Sequence, residues 1–434
     1  MRTVRLHDTR TGEVRELAPR EPGKVGIYAC GPTVYGRIHV GNARPFVVFM
    51  WLRRWLTERG YQVTLVSNIT DVNDRIYEAA PGASGELAAQ ATAWYIADTE
   101  RLGLGRPDAE PRATETMDEI VAMIGTLVDR GFAYEAGGDV YFRVGRFEEY
   151  GCLSGQRPDQ MTDQEPNPRK ENARDFALWK AHKEGEDTSW ESPWGRGRPG
   201  WHIECSAMAA KLLGPEFEIH GGGLDLVFPH HENELAQSRA AGQRFARIWM
   251  HNGLLRLTGE KMSKSLGNIA TLEEVLDEWG RETLLVYFLT GHWRSPIDFS
   301  REAMEAAREQ ARTFRNAFLQ PPERREASGW EAFESALDDD FRTPEALAVL
   351  HEWRAAGQLE LLERGLEVFG LASLAEQETA PPELQALATQ RLAARAERRF
   401  GEADRLRDEI ARAGWEVRDV AGEPGYQLVL RERT

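Results

Sequence analysis

The chain reads as an α/β protein. An open parallel sheet comes in two halves, with a connective insertion between them and an α-helical region after them. Three observations predict this. The apolar run Val25-Gly26-Ile27-Tyr28-Ala29 stops at Gly31-Pro32, and a helical pattern with Phe46, Val47, Phe49, Met50, Leu52 and Leu56 on one side follows from about Ala43. Later strand-like runs end in polar or glycine-rich clusters, as strands do in a βαβ arrangement. Beyond Pro296-Ile297-Asp298-Phe299-Ser300 the β signal fades and the pattern turns helical.

At 434 residues the chain exceeds the size at which one core keeps growing, so several domains are expected. The boundaries read as 1–100 for the first half of the sheet domain, 101–195 for the insertion, 196–300 for the second half, and 301–434 for the helical region with a small C-terminal subdomain. A hydrophobic content of 41% beside a charged content of 29% is that of an ordinary soluble protein, and no run approaches the roughly 20 apolar residues of a membrane span. The N-terminal residues Met1 to Asp8 lack the apolar core of a signal peptide, so the cytoplasm is the expected location. Three widely spaced cysteines, Cys30, Cys152 and Cys205, do not suggest a disulfide framework. A net charge of −16 argues against non-specific coating of nucleic acid, yet a local basic face remains open. Between Arg391 and Arg412 seven arginines face five acids, although by itself such a run is more often an ordinary solvated face.

Taken in order, residues 1–24 form a short β-rich lead-in. The helix from Ala43 ends at Gly60, and Tyr61 to Val66 is the next strand, closed by Ser67-Asn68-Ile69-Thr70-Asp71-Val72-Asn73-Asp74. Residues 86–130 are helical in two pieces separated by Pro107 and Pro111. A hairpin follows, with Phe132-Ala133-Tyr134 and Val140 to Val144 about a Gly137-Gly138 turn. Residues 151–200 are polar, rich in Pro and Gly and poor in periodicity, so the insertion 101–195 is expected to end in loops and to lack a domain-sized core of its own. Cys152 lies there as an unremarkable thiol. Sheet-like sequence resumes at Trp201-His202-Ile203-Glu204-Cys205, before a helix through Met208 and Leu212. Phe217-Glu218-Ile219-His220 is a strand running into Gly221-Gly222-Gly223-Leu224-Asp225. Pro229-His230-His231-Glu232-Asn233-Glu234 opens a helix, and Trp249 to Leu255 reads as a further strand. Helices start near Glu273 and at Glu282. In the C-terminal region Leu384–Ala413 is one long helix or a pair broken near Gly401, and Trp415 to Arg418 with Tyr426 to Leu430 suggests a terminal hairpin.

The chemistry-bearing residues sit at these junctions. The stretch Cys30 to Arg44 joins a strand, a glycine-containing loop and a helix N-terminus. That junction offers backbone N–H groups and a positive dipole end to a phosphate, with His39, Gly41 and Asn42 at the approach. A tight packing turn explains the same stretch as well. A glycine triplet followed by Asp225 suits a nucleotide whose ribose needs a carboxylate, although most such triplets are turns. His230 and Glu234 share a helical face. With Cys30 and Cys205 they make a donor set that suits zinc by ligand type, which spacing alone does not establish. Lys261-Met262-Ser263-Lys264-Ser265 is a cationic loop fit to stabilise developing phosphate charge, or simply a solvated one.

Three stretches together carry a resemblance. His39-Val40-Gly41-Asn42 resembles the HIGH signature of class I aminoacyl-tRNA synthetases, and Lys261-Met262-Ser263-Lys264-Ser265 matches their KMSKS loop in full. Cys30-Gly31-Pro32-Thr33-Val34-Tyr35, Trp201-His202-Ile203-Glu204-Cys205-Ser206, Phe228 to Glu234 and Leu337-Asp338-Asp339-Asp340-Phe341 resemble the cysteinyl-tRNA synthetase family in particular. The resemblance spans about residues 3 to 420. It implies a Rossmann-like catalytic domain and an anticodon-binding helical region. It further implies one Zn²⁺ on Cys30, Cys205, His230 and Glu234, which holds the thiolate of L-cysteine. A serine would then be rejected on binding, with no editing domain required. Gly31, Thr70 and Trp201 would line the cysteine pocket. ATP, with Mg²⁺, would contact His39, Gly41, Asn42, Gly223, Asp225 and Lys264. His39, Lys261 and Lys264 would act in catalysis, and tRNA(Cys) would accept the cysteine. A monomer with no membrane association is expected. Gly36 departs from the family's usual acidic residue, and the tail around Gly425-Tyr426 lacks the usual closing motif. A similar ligase, which joins cysteine to an amino sugar in mycothiol synthesis, is the alternative; Gly41-Asn42-Ala43-Arg44 and the long helical C-terminus favour the tRNA enzyme. A catalytically silent tRNA-binding paralogue is the other, opposed by the intact lysine loop and donor set.

Overall fold

The computed structural model describes residues 3–157, 166–257, 270–319, 322–376, 379–420 and 424–430. Its centre is a four-stranded parallel sheet of β1 (Lys24–Ala29), β2 (Gln62–Ser67), β3 (Glu216–Gly223) and β4 (Phe245–Asn252), in the order β4-β3-β1-β2. The register pairs Tyr28 with His220 and Ala29 with Gly221. From β1 the chain crosses outward through α1 (Val40–Glu58) to β2. From β3 it crosses the opposite way through α3 (Glu232–Ala240) to β4. Neighbouring β1 and β3 therefore feed loops that diverge, which opens a crevice at their C-terminal ends.

Both faces of the sheet are covered, so consecutive strand residues are buried rather than alternating with solvent. Ile27 packs into the core shared with α1, and Tyr28 packs with Met208 and Trp249 on the other side. Helix α1 begins at Val40, three residues earlier than the hydrophobic pattern suggests. His39 is the reason: its Nδ1 accepts the Asn42 N–H while the Asn42 Oδ1 accepts the His39 N–H, closing a reciprocal cap.

The segment between the sheet halves differs from the sequence expectation. Strands Ala133–Ala136, Asp139–Phe142, Phe176–Ala181 and Gly197–Pro199 form an antiparallel sheet in chain order, with helix Met117–Asp129 against it. Ile124, Leu127, Val140, Phe142, Leu178 and Trp179 give it a core of its own. The hairpin was legible. The two later strands were not, being short and set among Pro, Gly and charged residues.

A second correction concerns Trp201 to Cys205, which is the first turn and a half of helix α2 (Trp201–Leu213) rather than a strand. Alternating large and polar residues mimic a strand there. The helix is enclosed on nearly every side, Glu204 included, so no amphipathic stripe appears.

The C-terminal region is helical as expected. Arg301–Leu319, Trp330–Asp338, Thr343–Ala355 and Leu359–Val368 come first, then Pro382–Ala396 and Phe400–Arg412, and the hairpin Trp415–Asp419 with Tyr426–Leu430. The helix pair breaks at Arg398, whose φ is 60°. Two indoles of α1 fasten the first helices to the sheet domain: Trp51 Nε1 donates to Phe369 O at 2.9 Å and Trp55 Nε1 to Asp338 Oδ1 at 3.1 Å. Among the described residues no helix is long and apolar enough to cross a membrane.

Candidate active site and thiol cluster

A cavity of about 430 Å³ lies in the crevice between the ends of β1 and β3. Cys30, His39, Asn42, Trp201 and Asp225 line it. Each reaches it for a local reason. Cys30 follows β1 directly, where its N–H donates to Gly221 O of β3 at 2.9 Å. Gly31 then passes Asn68 so closely that a Cβ there would lie 1.8 Å from Asn68 O. The Gly31 N–H donates to Asn68 Oδ1 at 3.0 Å. Only glycine allows this approach, and it fixes Cys30 against the sheet.

His39 sits at the N-terminus of α1. Because its Nδ1 accepts a backbone N–H, the neutral ring carries its proton on Nε2 and so presents a second donor beside the helix end. Gly41 leaves room for that ring, since a Cβ there would come within 2.9 Å of His39 Nδ1. Gly223 ends β3, and a Cβ on it would meet Asp225 Oδ1 at 2.3 Å, so the glycine lets the carboxylate fold back to the cavity rim. Arg44 of α1 is buried and donates to the carbonyls of Gly253, Ser295 and His292 at 2.6 to 2.9 Å, tying the far wall to the helix. Burial pushes this guanidinium down to about 10.

Behind Cys30, which lines the cavity, Cys205, His230 and Glu234 are buried and converge on it, with one donor atom of each of the four within 4.8 Å of the others. Cys30 Sγ lies 3.8 Å from Cys205 Sγ and 3.6 Å from Glu234 Oε1, and His230 Nε2 lies 3.1 Å from Glu234 Oε1. Burial, together with Cys205 and Glu234, pushes the Cys30 thiol well above its ordinary range. For Cys205 the hydrogen bond with Cys30 pulls down, but burial and the charges of Glu234 and Glu204 prevail and raise it. Burial also raises Glu234 and drives the imidazole of His230 well below its usual value. Three acids packed in one dry site resist ionising together, which is the situation a cation relieves.

The distances fit zinc. Bonds of about 2.3 Å to sulfur and about 2.1 Å to oxygen at tetrahedral angles place two sulfurs about 3.8 Å apart and sulfur from oxygen about 3.6 Å. A second set of Cys30, His220, His231 and Glu234 is also close. His220 and His231 are better described as supports. His220 Nε2 pairs with Glu234 Oε2 at 2.8 Å, its ring stacked on Trp249. His231 Nε2 meets Cys30 Sγ at 3.3 Å while its Nδ1 meets His251 Nε2 at 2.7 Å. His202 Nδ1 meets His230 Nδ1 at 2.9 Å, leaving His230 Nε2 toward Glu234. Sequence reasoning missed these supporting histidines. The doubled His230-His231 beside a carboxylate three to four residues on was the available signal.

Other expected residues fall as follows. Trp201 lines the cavity and stacks on His230 with centroids 4.1 Å apart. Thr70 is buried behind the loop: its N–H donates to Pro32 O at 3.0 Å and its hydroxyl accepts from Asn68 Nδ2 at 3.1 Å. Lys261 and Lys264 lie outside the described residues. The chain returns at Ala270, whose carbonyl accepts the Val40 N–H at 3.1 Å, beside His39.

Comparisons with known proteins agree with this architecture. The family model for the tRNA synthetases class I (C) catalytic domain matches residues 16–309, the DALR domain matches 332–356, and the cysteinyl-tRNA ligase anticodon binding domain matches 378–424. The last match leaves the amino-sugar ligase alternative unfavoured. The chain is 43% identical to a cysteine–tRNA ligase of Geobacillus sp. (strain WCH70) over 94% of its length and 96% of that protein. It is 44% identical to one of Azotobacter vinelandii over 98% of its length and 100% of that protein. Among solved structures it shares the fold of a Mycobacterium tuberculosis methionyl-tRNA synthetase in complex with methionyl-adenylate, at a TM-score of 0.59 and 15% identity over 81% of this chain and 90% of that one. The chain belongs to the cysteine–tRNA ligase family of class I aminoacyl-tRNA synthetases.

Proposed function

We propose that cysteine is selected and activated at the crevice between β1 and β3 by the residues described there. The donor set Cys30, Cys205, His230 and Glu234 would hold one Zn²⁺ per chain. When bound, that ion would supply a Lewis acid that favours a thiolate over a hydroxyl. Gly31 and Trp201 border the space for the rest of the amino acid, and Thr70 holds the loop at Pro32 from behind.

ATP, with Mg²⁺, lies across the crevice. Its phosphates face the α1 N-terminus, the Nε2–H of His39, and the backbone at Gly41 and Asn42. Its ribose faces Asp225, and its adenine passes over Gly223. The cysteine carboxylate attacks the α-phosphorus and pyrophosphate leaves. Lys261 and Lys264 offset the charge that builds on the transferring group. No protein nucleophile is required, because orientation and fixed charge suffice. The 3′-terminal ribose hydroxyl of tRNA(Cys) then attacks the carbonyl carbon and AMP leaves. We assign residues 1–100 and 196–300 to catalysis, 101–195 to the connective insertion, and 301–434 to the anticodon arm. As a translation enzyme it would work in the cytoplasm.

The observation that carries this reading is that Cys30, a member of the sulfur-rich cluster, lines the same cavity as His39 and Asp225. The test is metal content of the purified enzyme together with ATP–pyrophosphate exchange driven by cysteine or serine. One zinc per chain and exchange with cysteine alone is expected; a metal-free enzyme with equal exchange for both amino acids would overturn it.

A further inference from the structure

A second cavity, of about 320 Å³, adjoins the first, and the two share Trp201 and Arg75 as a partition. Its walls come from the insertion sheet, the start of α2 and the turn at Phe228. Five cations and two carboxylates line it, a reversed balance in a chain of charge −16. Both carboxylates are already engaged. Asp74 pairs with Lys180 at 2.7 Å and with Arg198. Asp175 is buried and accepts from Tyr134 Oη, the Val144 N–H and the Asn172 N–H at 2.9 to 3.2 Å. Those bonds fix the rim loop that carries Lys170 and Arg174, and Arg143 braces it through a two-point pair with Glu171 at 2.8 Å. Phe176, Tyr150 and Phe228 supply aromatic surface beside these charges.

Aromatic rings interleaved with cations suit one unpaired nucleotide, its base on the rings and its phosphate on the basic rim. The volume is at the small end of ligand sites, room for one nucleotide rather than a strand. The acyl acceptor is the 3′ end of a tRNA, so its terminal ribose must enter the first cavity. We infer that the second cavity, with Arg174 at its rim, receives the nucleotide immediately 5′ of that terminal adenosine and so sets the ribose at the cysteinyl carbonyl. This rests on the reading above of where the adenylate forms.

The experiment uses the full-length enzyme in single-turnover transfer from enzyme-bound cysteinyl-adenylate to tRNA(Cys). Arg174→Glu should raise the tRNA concentration for half-maximal transfer at least tenfold, with ATP–pyrophosphate exchange within twofold of the unaltered enzyme. A tRNA with an abasic penultimate nucleotide should show a similar defect on the unaltered enzyme, and the two changes combined should cost little more than either alone. Unchanged transfer, or two defects that multiply independently, would overturn the assignment. If Arg174→Glu fails to fold, Arg174→Gln is judged by the same criteria. Absence of cysteine-driven exchange in the unaltered enzyme defeats the underlying reading instead. Intact exchange with transfer indifferent to Arg174 defeats the pocket alone.

Discussion

Cys30 and Cys205, 175 residues apart in the chain, bring their sulfurs to within 3.8 Å of each other. One follows a strand and the other rides a helix, and the packing of α2 against the parallel sheet is what makes them neighbours. Replacing Cys205 by Ser removes a soft donor while keeping its size. Cys205→Ser should lose bound zinc and raise the KM for cysteine at least tenfold, with the KM for ATP within twofold. Metal analysis and exchange kinetics check this, and an undiminished zinc content would contradict it.

Lys264 is assigned to charge that builds only during adenylyl transfer. Removing one such donor typically costs about 10²–10³ in rate. Lys264→Ala should slow cysteinyl-adenylate formation by that order and leave equilibrium binding of cysteine nearly unchanged. Pre-steady-state exchange and a cysteine titration separate the two effects, and an unaltered exchange rate would remove the role.

Gly31 has no space for a methyl group. Its added Cβ would meet a backbone carbonyl rather than a flexible side chain, so the strand ends would have to part. Overpacking of this kind costs about 1–3 kcal/mol. Gly31→Ala should lower the thermal midpoint and also weaken metal binding, because Cys30 moves with its neighbour. Calorimetry with and without added zinc tests both; normal stability with normal zinc uptake would argue against the tight approach.

Asp419 fastens the terminal hairpin to the helix Pro382–Ala396 through Arg391 and Arg395. Its hydrogen bond with Arg391 holds the carboxyl below its ordinary range. A depressed carboxylate stabilises the folded form above the ordinary carboxylate pKa, and that contribution is lost as pH falls through the lowered one. The subdomain should therefore loosen only in acid. Arg391→Met should move the onset to higher pH. Hydrogen exchange of the hairpin amides of Trp415–Asp419 and Tyr426–Leu430, compared between the two proteins at each pH, would show it, and identical profiles would refute it.

Much of the sheet domain was legible because its signals are local. β1, the loop at Gly31 and the helix after His39 follow from apolar runs and turn residues. His230 and Glu234 fall on one face by helical spacing alone. Three things were not legible. α2 is enclosed on nearly every side, so its helical period leaves no stripe. The later strands of the insertion take their stability from partners far along the chain, as Trp179 does in pairing with Val140. The histidines around the cluster act through contacts that the sheet register creates, His220 beside Tyr28 above all.

Helix α2 faces two ways. Ile203 and Ala207 pack into the core of the insertion with Leu178 and Trp179, while Cys205, Met208 and Ala209 pack toward the parallel sheet. The insertion is thus a wall of the chamber it interrupts, not an ornament hung on it. Excising it, or grafting in the corresponding piece of another synthetase, would strip one side of the helix that carries Cys205 and Trp201. Recombination at this boundary is closed to any exchange that does not bring matching partners for Ile203 and Ala207.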